Sequence, residues 1–350
     1  MKTQFIRVLK FFAAVVALSL PLCGSAQDAA FFRIVSPTNS EITAFSPGDG
    51  TVVWTNGATG VTCTVQRAVT LVGPSNWVDY VQHNVTNTSM TARLMDLNPP
   101  EGMVYIPAGV NSGANPLAAG ESYDPSWYPA TYSLTNASPF YMDRTEVTKA
   151  QWDTVYNWAI TNGYIFDNAG SGKASTHPVH TVSWYDCVKW CNARSQMEGR
   201  TPCYNLSDWI CNFSANGYRL PTNVEWEYAV RGGLSGKRFP WGDTITHSQA
   251  NYYSSNGYAY DISPTRNYHP SYATGDFPYT SPAGSFSANG YGLYDMAGNV
   301  WEWCNTASGS YRYYRGGSWC YSAYLARCGY AFWIDPDSAR YYFGFRSVCR

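Results

Sequence analysis

The side chains best equipped for chemistry gather in two neighbouring stretches, Asn289–Trp303 (NGYGLYDMAGNVWEW) and Tyr314–Cys320 (YRGGSWC). The first carries the carboxylates Asp295 and Glu302, and the second ends on the Cys320 thiol, two residues after Ser318. Set between Trp301 and Trp303, Glu302 reads as a buried carboxylate paired to an arginine, because an unpaired buried charge would be very costly. Cys320 reads either as a disulfide partner, of Cys304 or Cys187, or as a catalytic thiol. His177 and His180 flank Pro178 and read as a packing or surface pair. No three-histidine or two-histidine-carboxylate set is visible, nor is a nucleophile elbow. The pairs Gly232-Gly233 and Gly316-Gly317 lack the strand-to-helix setting of a phosphate loop.

Both stretches are dense in glycine and aromatics, so the elements that position them must be tight turns pinned by rings. The whole chain shares this bias, with 17% aromatic and 13% charged residues, 30 Gly and 20 Pro in 350 residues. A loop-rich fold is expected, and helical bundles are disfavoured. With 23 basic and 24 acidic residues, the net charge of -1 leaves no broad basic surface for nucleic acid.

The first 26 residues have a basic start (Lys2, Arg7, Lys10), an apolar run to Leu22 and small residues to Ala26, the pattern of a secretory signal cleaved after Ala26. A lipoprotein anchor at Cys23 is the weaker reading, because Leu22 stands where a small residue is wanted. No other segment approaches the ~20 apolar residues of a membrane span. A secreted or periplasmic protein is expected. Of the nine cysteines that remain, eight lie in the C-terminal half and read first as disulfides, with Cys203 and Cys211 as a local pair. Cys63 stands apart and reads as a small core residue.

From 27 to 98, short alternating runs such as Thr51–Thr55, Val61–Arg67, Trp77–Val85 and Met90–Leu97 predict a small immunoglobulin- or fibronectin-like β-sandwich. Asn98 to Gly102 reads as a linker, and a second domain follows over 102–349. Three capping boxes predict its helices. Thr148 with Gln151 starts one that Gly163 closes, Ser183 with Asp186 starts one ending near Gly199, and Thr222 with Glu225 starts one over Asn223–Arg231.

Eight ordered motifs then accumulate: GMVYIPAG at Gly102, PFYMDRTEVTKAQW at Pro139, HPVHTVSWYDCVKWCN at His177, GYRLPTNVEWEYAVRGG at Gly217, FPWGD at Phe239, NGYGLYDMAGNVWEW at Asn289, RGGSW at Arg315 and GFR at Gly344. Together they resemble the sulfatase-modifying factor family of the formylglycine-generating enzyme. The resemblance implies an α+β, C-type lectin-like fold, loop-rich and calcium-binding, here preceded by the small all-β sandwich.

In the family's enzymes two cysteines hold Cu(I), and oxygen converts a cysteine of a sulfatase's Cys-x-Pro-x-Arg segment to formylglycine. Soft thiolates suit Cu(I). Carried over, Cys320 takes the first cysteine position with one residue deleted, and Ser318 matches the serine of the oxygen pocket. Leu325 occupies the second position. Cys328 resembles a structural cysteine, and Cys191 with Cys349 resembles a family bridge in slipped register. Asp295, Gly298, Val300 and Glu302 match one calcium site, and Asn251, Tyr252, Asp276 and Phe277 match a second. Two functions follow as expectations. One is oxidation of a cysteine in a partner protein, possible partners including a sulfatase. The other is a calcium-stabilised, non-catalytic module that binds a peptide or glycan.

Overall fold

Alternation of buried and exposed residues is what makes strands of the N-terminal stretch. Phe32 and Ile34 point inward from β2 (Phe31–Val35), Val52 and Trp54 from β4 (Thr51–Asn56), and Cys63 and Val65 from β5 (Thr62–Ala68). The structure, a computed structural model, describes residues 13–17, 31–46, 50–68, 77–96 and 99–350. With β3 (Ser40–Ser46), β6 (Val78–Asn84) and β7 (Ser89–Arg93), these strands form two sheets. β3-β4-β7 is one, and β2-β5-β6 belongs to the other. Cys63 is fully buried in this region. The cleavage position at Ala26 and the anchor residue Cys23 lie outside the described residues. Ala13–Ala17 forms β1, antiparallel to β2 at the sheet edge.

The sheet does not stop at the sandwich. Its full order is β1-β2-β5-β6-β9-β10, where β9 is Gly109–Ala114 and β10 is Thr131–Asn136. Gln82 of β6 pairs with Val110 of β9. Tyr80 sets its ring edge-on to Tyr291 at 5.3 Å, and Tyr291 stacks on Tyr228. A single hydrophobic cluster therefore runs from Phe32 and Val65 to Trp226 and Leu293. Glycine is required at this join: Gly233 has φ +88°, and a Cβ there would meet the Asp79 and Tyr80 carbonyl oxygens at 2.4 Å.

The remainder is short strands and three helices among long turns. β8 (Met103–Ile106), β11 (Phe140–Asp143) and β16 (Val348–Cys349) make a sheet in the order β16-β11-β8. β12 (Trp301–Ser308), β13 (Tyr311–Arg315), β14 (Ala331–Ile334) and β15 (Phe343–Gly344) make another, in the order β14-β13-β12-β15. All three expected capping boxes are present. They open α1 (Lys149–Thr161), α2 (Trp184–Met197) and α3 (Asn223–Arg231), and Gly232 ends α3 in the left-handed conformation. α2 buries Trp184, Cys187, Val188, Trp190 and Cys191 in a second aromatic core shared with Trp152, Trp303 and Phe345. Among the described residues, no helix is long and apolar enough to cross a membrane.

Candidate functional site

The two chemistry-bearing stretches are laced side by side. Glu302 of β12 pairs with Arg315 of β13, and Trp303 pairs with Tyr314. Beyond the strands, the Gly298 amide donates to the Gly316 carbonyl at 2.8 Å, and the Trp319 amide donates to the Asn299 carbonyl at 2.9 Å. Asn299 in turn donates its own amide to the Asn251 carbonyl at 2.8 Å. Only glycine fits at 298: φ is +89°, and a Cβ would sit 2.2 Å from that same Asn251 oxygen. The NGYGLYDMAGNVWEW turn is therefore the hub to which both the Asn251 loop and the Ser318–Cys320 segment are tied.

Glu302 is buried and fully engaged. Arg346 donates to it through Nη2 to Oε1 at 2.7 Å and through Nε to Oε2 at 2.8 Å, and Trp226 Nε1 donates to Oε2 at 2.6 Å. Arg346 also donates to the Tyr294 and Asp143 carbonyls. Two further carboxylates are buried near this pair. Glu146 accepts from Asn299 Nδ2 at 2.9 Å and from the Val300 amide at 3.3 Å. Asp295 accepts the Gly284 amide on Oδ2, while its Oδ1 has no partner among the described residues. Burial raises the pKa of both. The negative charge of Asp295 and Glu302 adds to the rise at Glu146, and Asp295 is pushed up to about 6.

Three buried carboxylates thus share Arg346 as the cation that acts on them. Asn251 Oδ1, another buried acceptor, is also unpartnered. Buried oxygen acceptors left without a donor, here Asp295 Oδ1 and Asn251 Oδ1, are groups a hard cation satisfies. Among the described residues no three His, Cys, Asp or Glu side chains converge as a metal cage. Calcium at the first expected set would draw on Asp295 Oδ1 with the Gly298 and Val300 carbonyls, since Glu302 is committed to Arg346 and Trp226, whereas Asn251 Oδ1 belongs to the second set. Of the second expected set, Asn251 and Tyr252 are buried, and the Tyr252 carbonyl accepts from His247 Nε2 at 3.1 Å. Asp276 and Phe277 lie on the exposed rim, with Phe277 packed on Trp319 at 5.4 Å between ring centres.

Cys320 directly follows Trp319, the centre of an aromatic cluster. Trp319, 1% exposed, has Tyr268, Phe277, Tyr279 and Tyr341 around its ring, with centroids 5.4–5.8 Å away. Phe277 is 60% and Tyr341 49% exposed, an unusual state for large rings. Ser318 Oγ lies 3.4 Å from Cys320 Sγ. Burial pushes the Cys320 thiol up to about 11, with the Ser318 contact opposing the rise.

A two-thiolate copper site does not fit. Leu325 packs against the aromatic core, and Cys328 is buried beside Arg231, Glu227 and Arg315. All nine cysteines among the described residues are free thiols, and those of Cys203 and Cys211 interact. Cys349 sets its sulfur 3.6 Å from Met103 Sδ. Sequence reasoning missed Glu146, Asn299 and the role of Arg346, although two of the quoted motifs contain Glu146 and Arg346. For Arg346 the available signal was a charged residue closing the apolar GFR motif; Glu146, among Asp143, Arg144 and Lys149, had no such signal.

A family model described as "Sulfatase-modifying factor enzyme 1-like domain" matches residues 90–350. The chain belongs to this sulfatase-modifying factor family. A chaperone protein, LppX, of Paenibacillus barcinonensis is 33% identical over 243 residues, covering 59% of this chain and 80% of that protein. The formylglycine-generating enzyme of Streptomyces coelicolor is 29% identical over 289 residues, covering 70% and 88%. Among solved structures, CarF superposes with a TM-score of 0.51 at 28% identity, covering 71% of this chain and 97% of that one. The loop-rich C-type lectin-like fold follows from these likenesses and from the short strands and few helices described above.

Proposed function

We propose that this member of the family is an exported binding module that receives an extended protein segment on the aromatic cluster beside Cys320 without oxidising it. The observation that carries the reading is the solitary thiol. Cys320 has Ser318 as its side-chain partner, Leu325 stands where the enzymes place their second cysteine, and Cys328 is committed to the core. One thiolate cannot make a two-coordinate Cu(I) centre that also leaves room for a substrate thiolate. The rim, in contrast, is built for contact. Exposed Phe277 and Tyr341 offer large area at low cost in side-chain entropy. The relative called a chaperone supports a protein as the ligand.

The cysteine-oxidase reading keeps one supporting observation, the Ser318–Cys320 contact at 3.4 Å. Calcium enters the proposal as a structural ion at the two expected sets, supported by the unpartnered buried oxygen of Asp295 in one and of Asn251 in the other.

Titration of Trp fluorescence with Cys-x-Pro-x-Arg peptides tests the binding reading. Saturable binding that survives Cys320→Ser and is lost in Phe277→Ala and Tyr341→Ala is expected. Binding lost in Cys320→Ser but kept in both rim variants would contradict it.

A further inference from the structure

One group of reactive side chains lies outside both the acidic hub and the aromatic cluster beside Cys320: the thiols of Cys203 and Cys211, with Cys191 of α2 behind them. The segment between the two cysteines folds back on itself. The Asn212 amide donates to the Cys203 carbonyl at 2.7 Å, the Asn205 amide to the Ile210 carbonyl at 2.9 Å, and Tyr204 bridges Cys211. This sets Cys203 and Cys211 on the two arms of one tight turn, where their thiols interact. Their surroundings differ. Cys203 is buried, and Cys211 is partly exposed, flanked by the exposed apolar side chains Ile210 and Phe213.

The buried sulfur has what a leaving thiolate needs. The Gly217 amide and the Arg219 guanidinium both favour the Cys203 thiolate, and Arg219 acts on Cys211 as well. A staple made only for stability would gain from shielding both sulfurs. Here one sulfur belongs to a partly exposed residue and Arg219 places a positive charge near both, a combination that favours thiol–disulfide exchange.

We infer that Cys203 and Cys211 form a redox-active pair that exchanges disulfides with a dithiol protein client, an activity separate from the aromatic cluster beside Cys320. In the oxidised pair, a client thiolate attacks Cys211 Sγ and forms a mixed disulfide. The Cys211–Cys203 bond breaks, and Cys203 leaves as a thiolate favoured by the Gly217 amide and Arg219. The client's second thiolate then attacks its own sulfur in the mixed disulfide, and Cys211 leaves. The client is oxidised by two electrons, the pair is reduced by two, and the two client protons are released to solvent or taken up by the departing thiolates. A low-molecular-weight disulfide of the glutathione class reoxidises the pair. Exposed Ile210 and Phe213 form an apolar lip beside the attacked sulfur, suited to an unfolded client segment.

The test is a redox titration of the full chain in glutathione buffers, with trapping by N-ethylmaleimide and mass spectrometry of the 203–211 peptide. The pair is expected to pass reversibly between dithiol and disulfide while the near-ultraviolet circular dichroism stays native. The oxidised protein should also oxidise a Cys-x-x-Cys peptide, and Cys211→Ser should abolish that turnover. Because the titration uses the unaltered chain, a misfolded variant does not obscure the answer. A bond reducible only in denaturant, thiols that stay reduced in excess glutathione disulfide, pairing of Cys203 with Cys191, or full turnover in Cys211→Ser would each overturn the inference.

Discussion

Glu302 and Cys320 lie on segments laced to each other by backbone hydrogen bonds, yet their surroundings are opposite. Every carboxylate oxygen of Glu302 has a charged or indole donor, and Arg346 spreads its remaining hydrogen bonds over three carbonyls. Cys320 has a 3.4 Å contact with Ser318, beside a cluster that includes half-exposed rings. The difference teaches that polar satisfaction in this fold is concentrated on holding the hub together. The thiol end is free to diverge, because few partners are lost when it changes.

Arg346→Ala is the most forceful way to break the contrast. It strands three buried carboxylates, and equilibrium unfolding should show a loss of about 3–5 kcal/mol. A loss near zero would mean the hub is not where the stability lies. Next comes removal of calcium. A chelator should lower the melting temperature of the protein by several degrees, and added calcium should restore it. An unchanged melt after verified metal removal would leave Asp295 and Asn251 without the proposed ions.

A smaller loss is expected at the cap of α3, the helix that delivers Trp226 to Glu302. Thr222→Ala should cost about 1 kcal/mol, read by the same unfolding experiment. Cys320→Ser should change stability by less than about 0.5 kcal/mol, as for sites outside the core network. Its thiol also supplies a pH test. Raised from 9 to about 11 by burial, it stays protonated at neutral pH and gains nucleophilicity only as pH climbs towards 11. Alkylation at pH 7 should therefore run about 100-fold slower than at an unperturbed thiol, in proportion to the thiolate fraction. A rapid reaction at neutral pH would show an activated cysteine and favour oxidase chemistry.

Local rules were legible in the sequence wherever they act over a few residues. The three capping boxes and the stop at Gly232 are read from residues three or four apart, and each helix begins where its cap predicts. Its place between two tryptophans left Glu302 with two readings, a calcium ligand or a buried partner of an arginine, and the arginine itself, 44 residues on, was not legible. Glu146 was equally hidden, because its partners Asn299 and Val300 are 153 and 154 residues away. The same holds for the continuation of the sandwich sheet into β9 and β10. A break in composition at Asn98–Gly102 suggests a linker, whereas the Gln82–Val110 pairing and the Tyr80–Tyr291 contact are long-range events that composition cannot register.

The proposed function pairs an intact family scaffold with loss of its copper chemistry. The direct measurement is mass spectrometry of a Cys-x-Pro-x-Arg peptide after incubation with the purified protein, Cu(I) and oxygen. Recovery of the peptide with its cysteine unchanged, at concentrations where binding is saturated, is the predicted result. Conversion of that cysteine to formylglycine would contradict the account.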